Sequence, residues 1–350
     1  MQYSLLGSSN EKVSRVCLGT MTWGLQNSQQ DANEQIEFAL AQGINFIDTA
    51  EMYPVPPSEA TYGGTETIIG NWLAANPQRR KEFILATKIA GSGFSYLRNA
   101  SAISGETIIQ AVDASLKRLQ TDYIDLFQLH WPNRVSPHFG KHWPGQISFS
   151  QTETADEKQQ MLEILQALDM CIKAGKIRFF GLSDDTPWGI NTYLQLSEKH
   201  ALPKLVSIQN EFNLLHAKDW PYLIENCARE DIAYLPWSPL AGGALSGKYL
   251  NNQRPAGSRW TLVQRNGLFR DTPMSQKAIA RYVELAAAHK MTPSQLALMW
   301  CDQLEGVTST IIGATSMPQL KENLDAFTMA LSPKAKSDIN LALREFAAPF

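Results

Sequence analysis

The chain alternates, almost without interruption, between short apolar runs and amphipathic helical stretches. VSRVCLG leads to a helix near Asp31–Gln42, INFID to TETIIGNWLAA, EFILATK to ETIIQAVDASLKRLQ, and YIDLFQLH, after an insertion, to MLEILQALDMCIKAG. The second half repeats the pattern: IRFFGLS precedes PWGINTYLQLSEKH, LVSIQN precedes DWPYLIENCARE, IAYLPWS precedes SQKAIARYVELAAAHK and SQLALMWCDQ, and STIIGA precedes PQLKENLDAF. Runs that are apolar throughout, such as EFILA and IRFFG, fit strands covered on both faces, as in a parallel sheet. About eight strand-then-helix units is the number that closes a parallel barrel with its helices outside. The alternation predicts an α/β fold, a (β/α)8 TIM barrel forming one domain over residues 1–350. Two long stretches break the rhythm, Trp131 to about Thr154 and Gly243 to about Pro273. Both follow strands, so both are expected over the C-terminal, catalytic rim, where long loops carry function.

Hydrophobic residues make up 44% and charged residues 19% of the 350 positions, enough apolar material for a large core and too much for disorder. The formal net charge of −3 gives no electrostatic case for nucleic acid or an anionic membrane. No run reaches the apolar length of a membrane span, and MQYSLLGSSNEK lacks a signal-peptide core. Cys17, Cys171, Cys227 and Cys301 are dispersed without a C-x-x-C pair, which fits reduced thiols in a cytoplasm rather than a disulfide framework or zinc site. The six histidines show no H-x-H or H-E-x-x-H spacing, so no metal is expected. The expected partner is a small molecule, and nothing in the pattern specifies an oligomer.

Asp48, Lys88 and His130 close the runs INFID, EFILATK and YIDLFQLH, and Tyr53 follows the first by a short turn. In a barrel these ends meet at one rim. A Tyr, a Lys and an Asp converging there point to a proton donor whose pKa is being managed. Taken singly, each has a plainer reading: a cap, a loop packing residue, a solvated strand end, a core histidine. Their joint placement favours catalysis once it is taken with the order of the motifs that follow.

Several segments resemble the aldo-keto reductases: GTMTWG at Gly19–Gly24, FIDTAEMYP at Phe46–Pro54, LATK ending at Lys88, and LHWP at Leu129–Pro132. KAGKIRFFGLSD at Lys173–Asp184, QNEFN at Gln209–Asn213, WSPLAGG at Trp237–Gly243 and IIGATSMPQLKEN at Ile311–Asn323 continue the match in order over nearly the whole chain. AEMYPVPP followed by TETIIGNWLA is most similar to the bacterial Tas-type branch, near the potassium-channel β-subunit group. The resemblance implies a (β/α)8 barrel that binds a nicotinamide dinucleotide without a Rossmann domain, and no G-x-G-x-x-G follows the first strand here. It implies hydride transfer between the nicotinamide and a carbonyl carbon, with Tyr53 as proton donor, Lys88 and Asp48 tuning it, and His130 positioning the carbonyl. The physical logic agrees. A phenol titrates near ~10 and a neighbouring ammonium lowers that value. A shift of ~2 units takes roughly 3 kcal/mol, plausible for one close charge in a dry site.

The same resemblance counts Gly19, Thr20, Met21 and Asp48 among the cofactor contacts and puts the carboxamide on Ser183, Asp184 and Gln209. Asp184 replaces the usual Asn, an acceptor-only carboxylate if ionised. Trp237 would face the nicotinamide ring. Around Pro239, the backbone amides of Ser238, Leu240, Ala241 and Gly243 suit phosphate contact, with Lys248 and Arg259 clamping the pyrophosphate from above. At the adenosine end stand Gly313, Ala314, Thr315 and Gln319, the last where an Arg is expected, followed by Glu322 and Asn323, which match adenine contacts. A helix starting near Pro318 would offer free amides to a phosphate. NADP is therefore expected as the cofactor, with NAD used at weaker discrimination. Trp23, Met52, Trp131, Phe139 and Trp143 are expected to shape an apolar pocket for aromatic or medium-sized aliphatic carbonyls. The function expected is reduction of aldehydes or ketones. The alternative is a cofactor-binding regulatory or interaction protein with incidental turnover, and the complete tetrad favours the enzyme.

Overall fold

The computed structural model describes residues 1–149, 153–262 and 269–350. An antiparallel hairpin, β1 (Tyr3–Leu5) and β2 (Lys12–Ser14), precedes eight parallel strands: β3 (Val16–Gly19), β4 (Phe46–Asp48), β5 (Ile84–Ile89), β6 (Ile124–Leu129), β7 (Ile177–Ser183), β8 (Ser207–Glu211), β9 (Ala233–Trp237) and β10 (Thr310–Ile312). Neighbours in the sheet follow chain order, and β10 returns beside β3 with Thr310 opposite Val16. Tyr234 of β9 bridges to Val307, and the Thr308 amide donates to the Tyr234 carbonyl at 2.9 Å, which brings the ring of strands to near closure.

Helices α1 (Gln29–Ala41), α2 (Gly64–Ala75), α3 (Gly105–Leu119), α4 (Thr154–Lys173), α5 (Pro187–His200), α6 (Tyr222–Arg229), α7 (Pro273–Ala288), α8 (Pro293–Asp302), α9 (Met317–Ala326) and α10 (Pro333–Glu345) surround the strands. None of the described helices is long and apolar enough to cross a membrane.

Side-chain alternation along the strands sorts the core into two layers. Cys17, Phe46, Ala86, Leu126, Ala233 and Leu235 share one cluster inside the barrel, and the hairpin's Leu6 and Val13 join it. Leu18, Ile47, Leu85, Phe127, Phe180, Ile208 and Tyr234 face outward into the larger cluster shared with the helices. The same parity carries Asp48, Lys88 and Gln128, two residues beyond Phe46, Ala86 and Leu126, inward at the top of the barrel.

Two features differ from the sequence reading. VSRVCLG is not one strand: it divides at Arg15, whose side chain leaves the sheet to pair with Asp302, while Ser14 Oγ donates to the Val16 carbonyl at 2.6 Å. The sequence reading also lacks α10, a mostly polar helix that Ser332 caps and that buries only Ala335, Ile339 and Ala342.

Candidate active site

Lys88 sits fully buried, with its Nζ 2.5 Å from Asp48 Oδ2 and 2.8 Å from the Thr49 carbonyl. Asp48 Oδ1 accepts from Gln128 Nε2 at 3.1 Å and from Gln209 Nε2 at 2.9 Å, and Gln209 also donates to Gln128 Oε1. Four strand ends are thus cross-linked through one carboxylate. Tyr53 packs above them, its ring centre 5.1 Å from the Lys88 ammonium and 5.6 Å, edge-on, from the His130 ring. His130 Nδ1 is buried without a partner among the described residues. The structure therefore brings all four residues together.

Burial works against the Lys88 ammonium, but Asp48 and the Tyr53 oxygen outweigh it and hold the pKa above the ordinary lysine value. Tyr53 corrects one expectation. Lys88 pulls its pKa down, as does Arg259, yet burial is the larger effect and leaves the phenol above its ordinary value. His130 is pushed well below the usual imidazole range by burial and then by Lys88, so the ring stays neutral.

A second, partly buried ion pair ties the Tyr53 loop down. Glu51 accepts from Arg98 Nη1 at 2.8 Å, Arg98 Nη2 at 2.6 Å and the Ala90 amide at 2.6 Å. Arg98, Asn99 and Ala100 all adopt positive φ, a left-handed run that disfavours residues with a Cβ. Sequence reasoning missed this clamp.

The residues expected around a substrate are only partly brought together. Met52 clusters with Tyr53, Leu97, Met21, Phe94, Tyr96 and Trp131. Trp131 covers Gly91, where a Cβ would lie 2.2 Å from its Nε1. Phe94, Tyr96 and Leu97 were missed, although FSYL in the loop after Lys88 is aromatic enough to have been counted. Phe139 lies 6.0 Å from the Trp237 ring, and Trp143, half exposed, lies 5.6 Å from the Lys218 ammonium. Trp23 is a correction: it is fully buried in the strand–helix core, and its indole donates to Gln35 of α1. A chain segment starting at Gly19 turns outward after Thr20, whose hydroxyl bonds the Asp48 carbonyl, so Trp23 follows that turn into the core.

Among the residues expected to hold the nicotinamide, Gly19 lies beside Asp48 in register, and a Cβ on it would strike Ile311 at 2.8 Å. Ser183 pairs in register with Gln209. Asp184 Oδ1 accepts from Trp237 Nε1 at 3.1 Å and lies 3.5 Å from His138 Nδ1. Burial pushes the Asp184 carboxyl well above the usual carboxylate range, against the Trp237 hydrogen bond. A protonated acid carries both a donor and an acceptor, the pair an Asn amide offers.

The turn after Trp237 differs from expectation. The Ala241 amide donates to the Ser238 carbonyl and the Gly243 amide to the Leu240 carbonyl, so these two N–H groups are spent inside the turn. Around the same turn, Lys248 Nζ would lie 2.9 Å from a Cβ on Gly243. Arg259 is half-buried near Tyr53 and Met21, with Nη2 3.6 Å from the Met21 sulfur. Burial and Arg270 lower the Arg259 pKa to about 10. Arg270 itself pairs with Glu211 at 2.5 Å.

Among the residues expected at the adenosine end, Gln319 Oε1 accepts from the amide and hydroxyl of Thr315, both at 3.0 Å. Glu322 accepts from Thr292, the cap of α8, and Asn323 donates to the Gly313 carbonyl; Ala314 is buried beside them. The start of α9 is less open than expected: Pro318 has no N–H, and the Gln319 and Leu320 amides both donate to Ser316. Among the described residues no three His, Cys, Asp or Glu side chains are placed to hold a metal ion.

Residues 15–343 match the model of the aldo/keto reductase family. Protein tas of Escherichia coli is 42% identical, with the alignment covering 100% of this chain and 99% of that one. The uncharacterized oxidoreductase YrpG of Bacillus subtilis is 29% identical over 97% of the chain and 95% of its own. A probable voltage-gated potassium channel subunit beta of Arabidopsis thaliana is 28% identical over 93% and 91%. The chain belongs to the aldo/keto reductase family and is an NAD(P)H-dependent oxidoreductase of that family.

Proposed function

We propose that the protein reduces aldehydes or ketones with NADPH, with Tyr53 delivering the proton. The observation that carries this reading is the buried Asp48–Lys88 pair lying directly beneath the Tyr53 ring, with a neutral His130 at its edge. The cofactor requirement fits the residues present. Gln209 spends its N–H groups on Asp48 and Gln128 and keeps a carbonyl oxygen for a carboxamide, and Lys248 and Arg259 lie beside two glycines of one turn. Ser183, Asp184, Gln209 and Trp237 would hold the nicotinamide, and Lys248 and Arg259 its phosphates.

When bound, the nicotinamide supplies the hydride. Tyr53 donates its phenolic proton to the carbonyl oxygen, and the pKa above the ordinary value keeps that proton in place at neutral pH. The Lys88 ammonium offsets the phenolate left behind, and Asp48 keeps the ammonium charged and aimed. A neutral imidazole at His130 polarises the carbonyl without adding a charge that would oppose Lys88. Phe94, Tyr96, Trp131 and Met52 exclude water and favour an apolar substituent on the substrate. Steady NADPH oxidation with a panel of small aldehydes, abolished by Tyr53→Phe, tests the proposal. Tight NADPH binding without turnover on any carbonyl would instead support the interaction-protein reading.

A further inference from the structure

Trp260, 5% exposed, holds an indole N–H with no hydrogen-bond partner among the described residues. An indole nitrogen can only donate, so burial without an acceptor is unfavourable and calls for a ligand or a reason. Its surroundings point to the kind of ligand. One face of the ring stacks on Tyr249 at 4.3 Å and 5°, and the Arg254 guanidinium lies 5.3 Å from the ring centre. Tyr249 in turn accepts from the Trp260 amide and donates to the Gly242 carbonyl. The indole edge is thereby fixed toward the glycine turn: a Cβ on Gly242 would lie 3.9 Å from Trp260 Nε1 and 3.6 Å from Arg259 Cγ. Lys248 Nζ flanks the next residue, Gly243.

Four of the turn's own amides are occupied. Those of Ala241, Gly243 and Leu245 donate to carbonyls within the turn, and that of Gly242 donates to Ser238 Oγ. An anion lying over Gly242 and Gly243 is therefore not met by those two amides, and side chains stand there instead. Two of the three that stand there are cations and the third is an unspent neutral donor. We propose that the Trp260 indole N–H donates to a phosphate oxygen of the bound nicotinamide dinucleotide, completing with Lys248 and Arg259 a side-chain clamp. The proposal rests on the reading that a dinucleotide lies along this rim, and it adds a residue of different chemistry, rigidly held rather than on a flexible stem.

Two fragments without a nicotinamide ring separate the possible phosphates. ADP-ribose carries the pyrophosphate and 2′-AMP carries only the 2′-phosphate. Calorimetric titration of each compares the parent with Trp260→Phe, which keeps a ring on Tyr249 and removes the donor. A hydrogen bond to a charged acceptor of this type leads to an expected loss of about tenfold in affinity. Loss with ADP-ribose assigns the donor to the pyrophosphate; loss with 2′-AMP assigns it to the 2′-phosphate. Affinities within twofold of the parent for both fragments would overturn the proposal. A second readout does not need the Phe variant to be stable. With nitrogen-15 in the indoles of the nine tryptophans, one N–H resonance in the parent should move downfield and exchange more slowly when a fragment saturates the site. Trp260→Tyr assigns it. A spectrum with no indole moved by either fragment also overturns the proposal. Should the parent bind NADPH yet pass neither test, only the Trp260 assignment falls; should it bind neither NADPH nor the fragments, the cofactor reading falls with it.

Discussion

At the end proposed for catalysis, Asp48, Lys88, Gln128 and Gln209 come from four adjacent or facing strands and bond one another inside the barrel. At the end proposed for the phosphates and adenosine, Lys248, Arg259, Trp260, Gln319 and Glu322 come from turns, a long loop and the side of a helix. The first set leaves its members no alternative partner, because a strand fixes direction and spacing while burial excludes water. The second set is served by local bonds: Gln319 ties back Thr315 and Glu322 caps a neighbouring helix. Strand-borne chemistry should therefore fail steeply when altered, whereas loop-borne recognition should change by degrees.

Tyr53→Phe is the steepest test. General acid catalysis is typically worth about 10²–10⁴ in rate, so the variant should lose that much turnover while its NADPH affinity in a fluorescence titration stays at the parent's value. A rate within about twofold of the parent, under ~0.5 kcal/mol of barrier, would remove Tyr53 from its role.

Lys88→Met comes next. It leaves Asp48 buried opposite a methyl group, and breaking a buried pair from one side costs about 3–5 kcal/mol, to be read as a lowered urea midpoint. It also removes the charge that draws the phenol pKa down. Alcohol oxidation, which needs a phenolate to accept the proton, should move its pH profile upward. An unchanged profile with an unchanged midpoint would show that Lys88 is neither charge partner nor proton-transfer partner.

The contrast between the two ends also explains what was legible in the sequence. Asp48, Lys88 and His130 could be read because each closes an apolar run, and strand parity then settles which way Asp48 and Lys88 face. Trp23 could not be read that way: it stands beyond the end of β3, and only the turn at Thr20 sends it into the core. The Glu51–Arg98 clamp joins residues 47 apart along the chain through a left-handed turn made without glycine, which no local pattern announces. The Ala241 and Gly243 amides were misjudged for a related reason. Small residues in SPLAGG signal close backbone approach, but here the backbone approaches itself. Trp260 was overlooked because a tryptophan in a polar loop reads as packing until its nitrogen is found unpaired.

Gln319→Arg probes the graded end. A charge-assisted fork to a 2′-phosphate contributes about 1.5–3 kcal/mol, which would widen the NADPH preference over NADH by roughly one to two decades. The same change releases Thr315 from Gln319, so the loop after β10 should become more sensitive to proteolysis. Parallel titrations with the two cofactors measure the ratio. If the parent already rejects NADH by several decades, another basic group holds the 2′-phosphate, and the substitution should leave the ratio where it was.

Asp184→Asn should do least to catalysis and is informative for that reason. Burial holds the Asp184 carboxyl toward its protonated form, so an amide that also offers one donor and one acceptor at this place should keep turnover and cofactor affinity within about twofold. Stability should nevertheless respond to pH. A carboxyl whose folded-state pKa is raised binds its proton more tightly when folded, so its contribution is full below the unfolded value of ~4 and is lost as pH rises through the folded value. The Asn variant has no such loss. Thermal melts taken across pH should show the two proteins converging toward pH 4 and the variant gaining on the parent above it. Melting curves that run parallel at every pH would mean that Asp184 ionises freely beside Trp237. The shelf would then carry a negative charge, and the Asn of other family members would not be its equivalent.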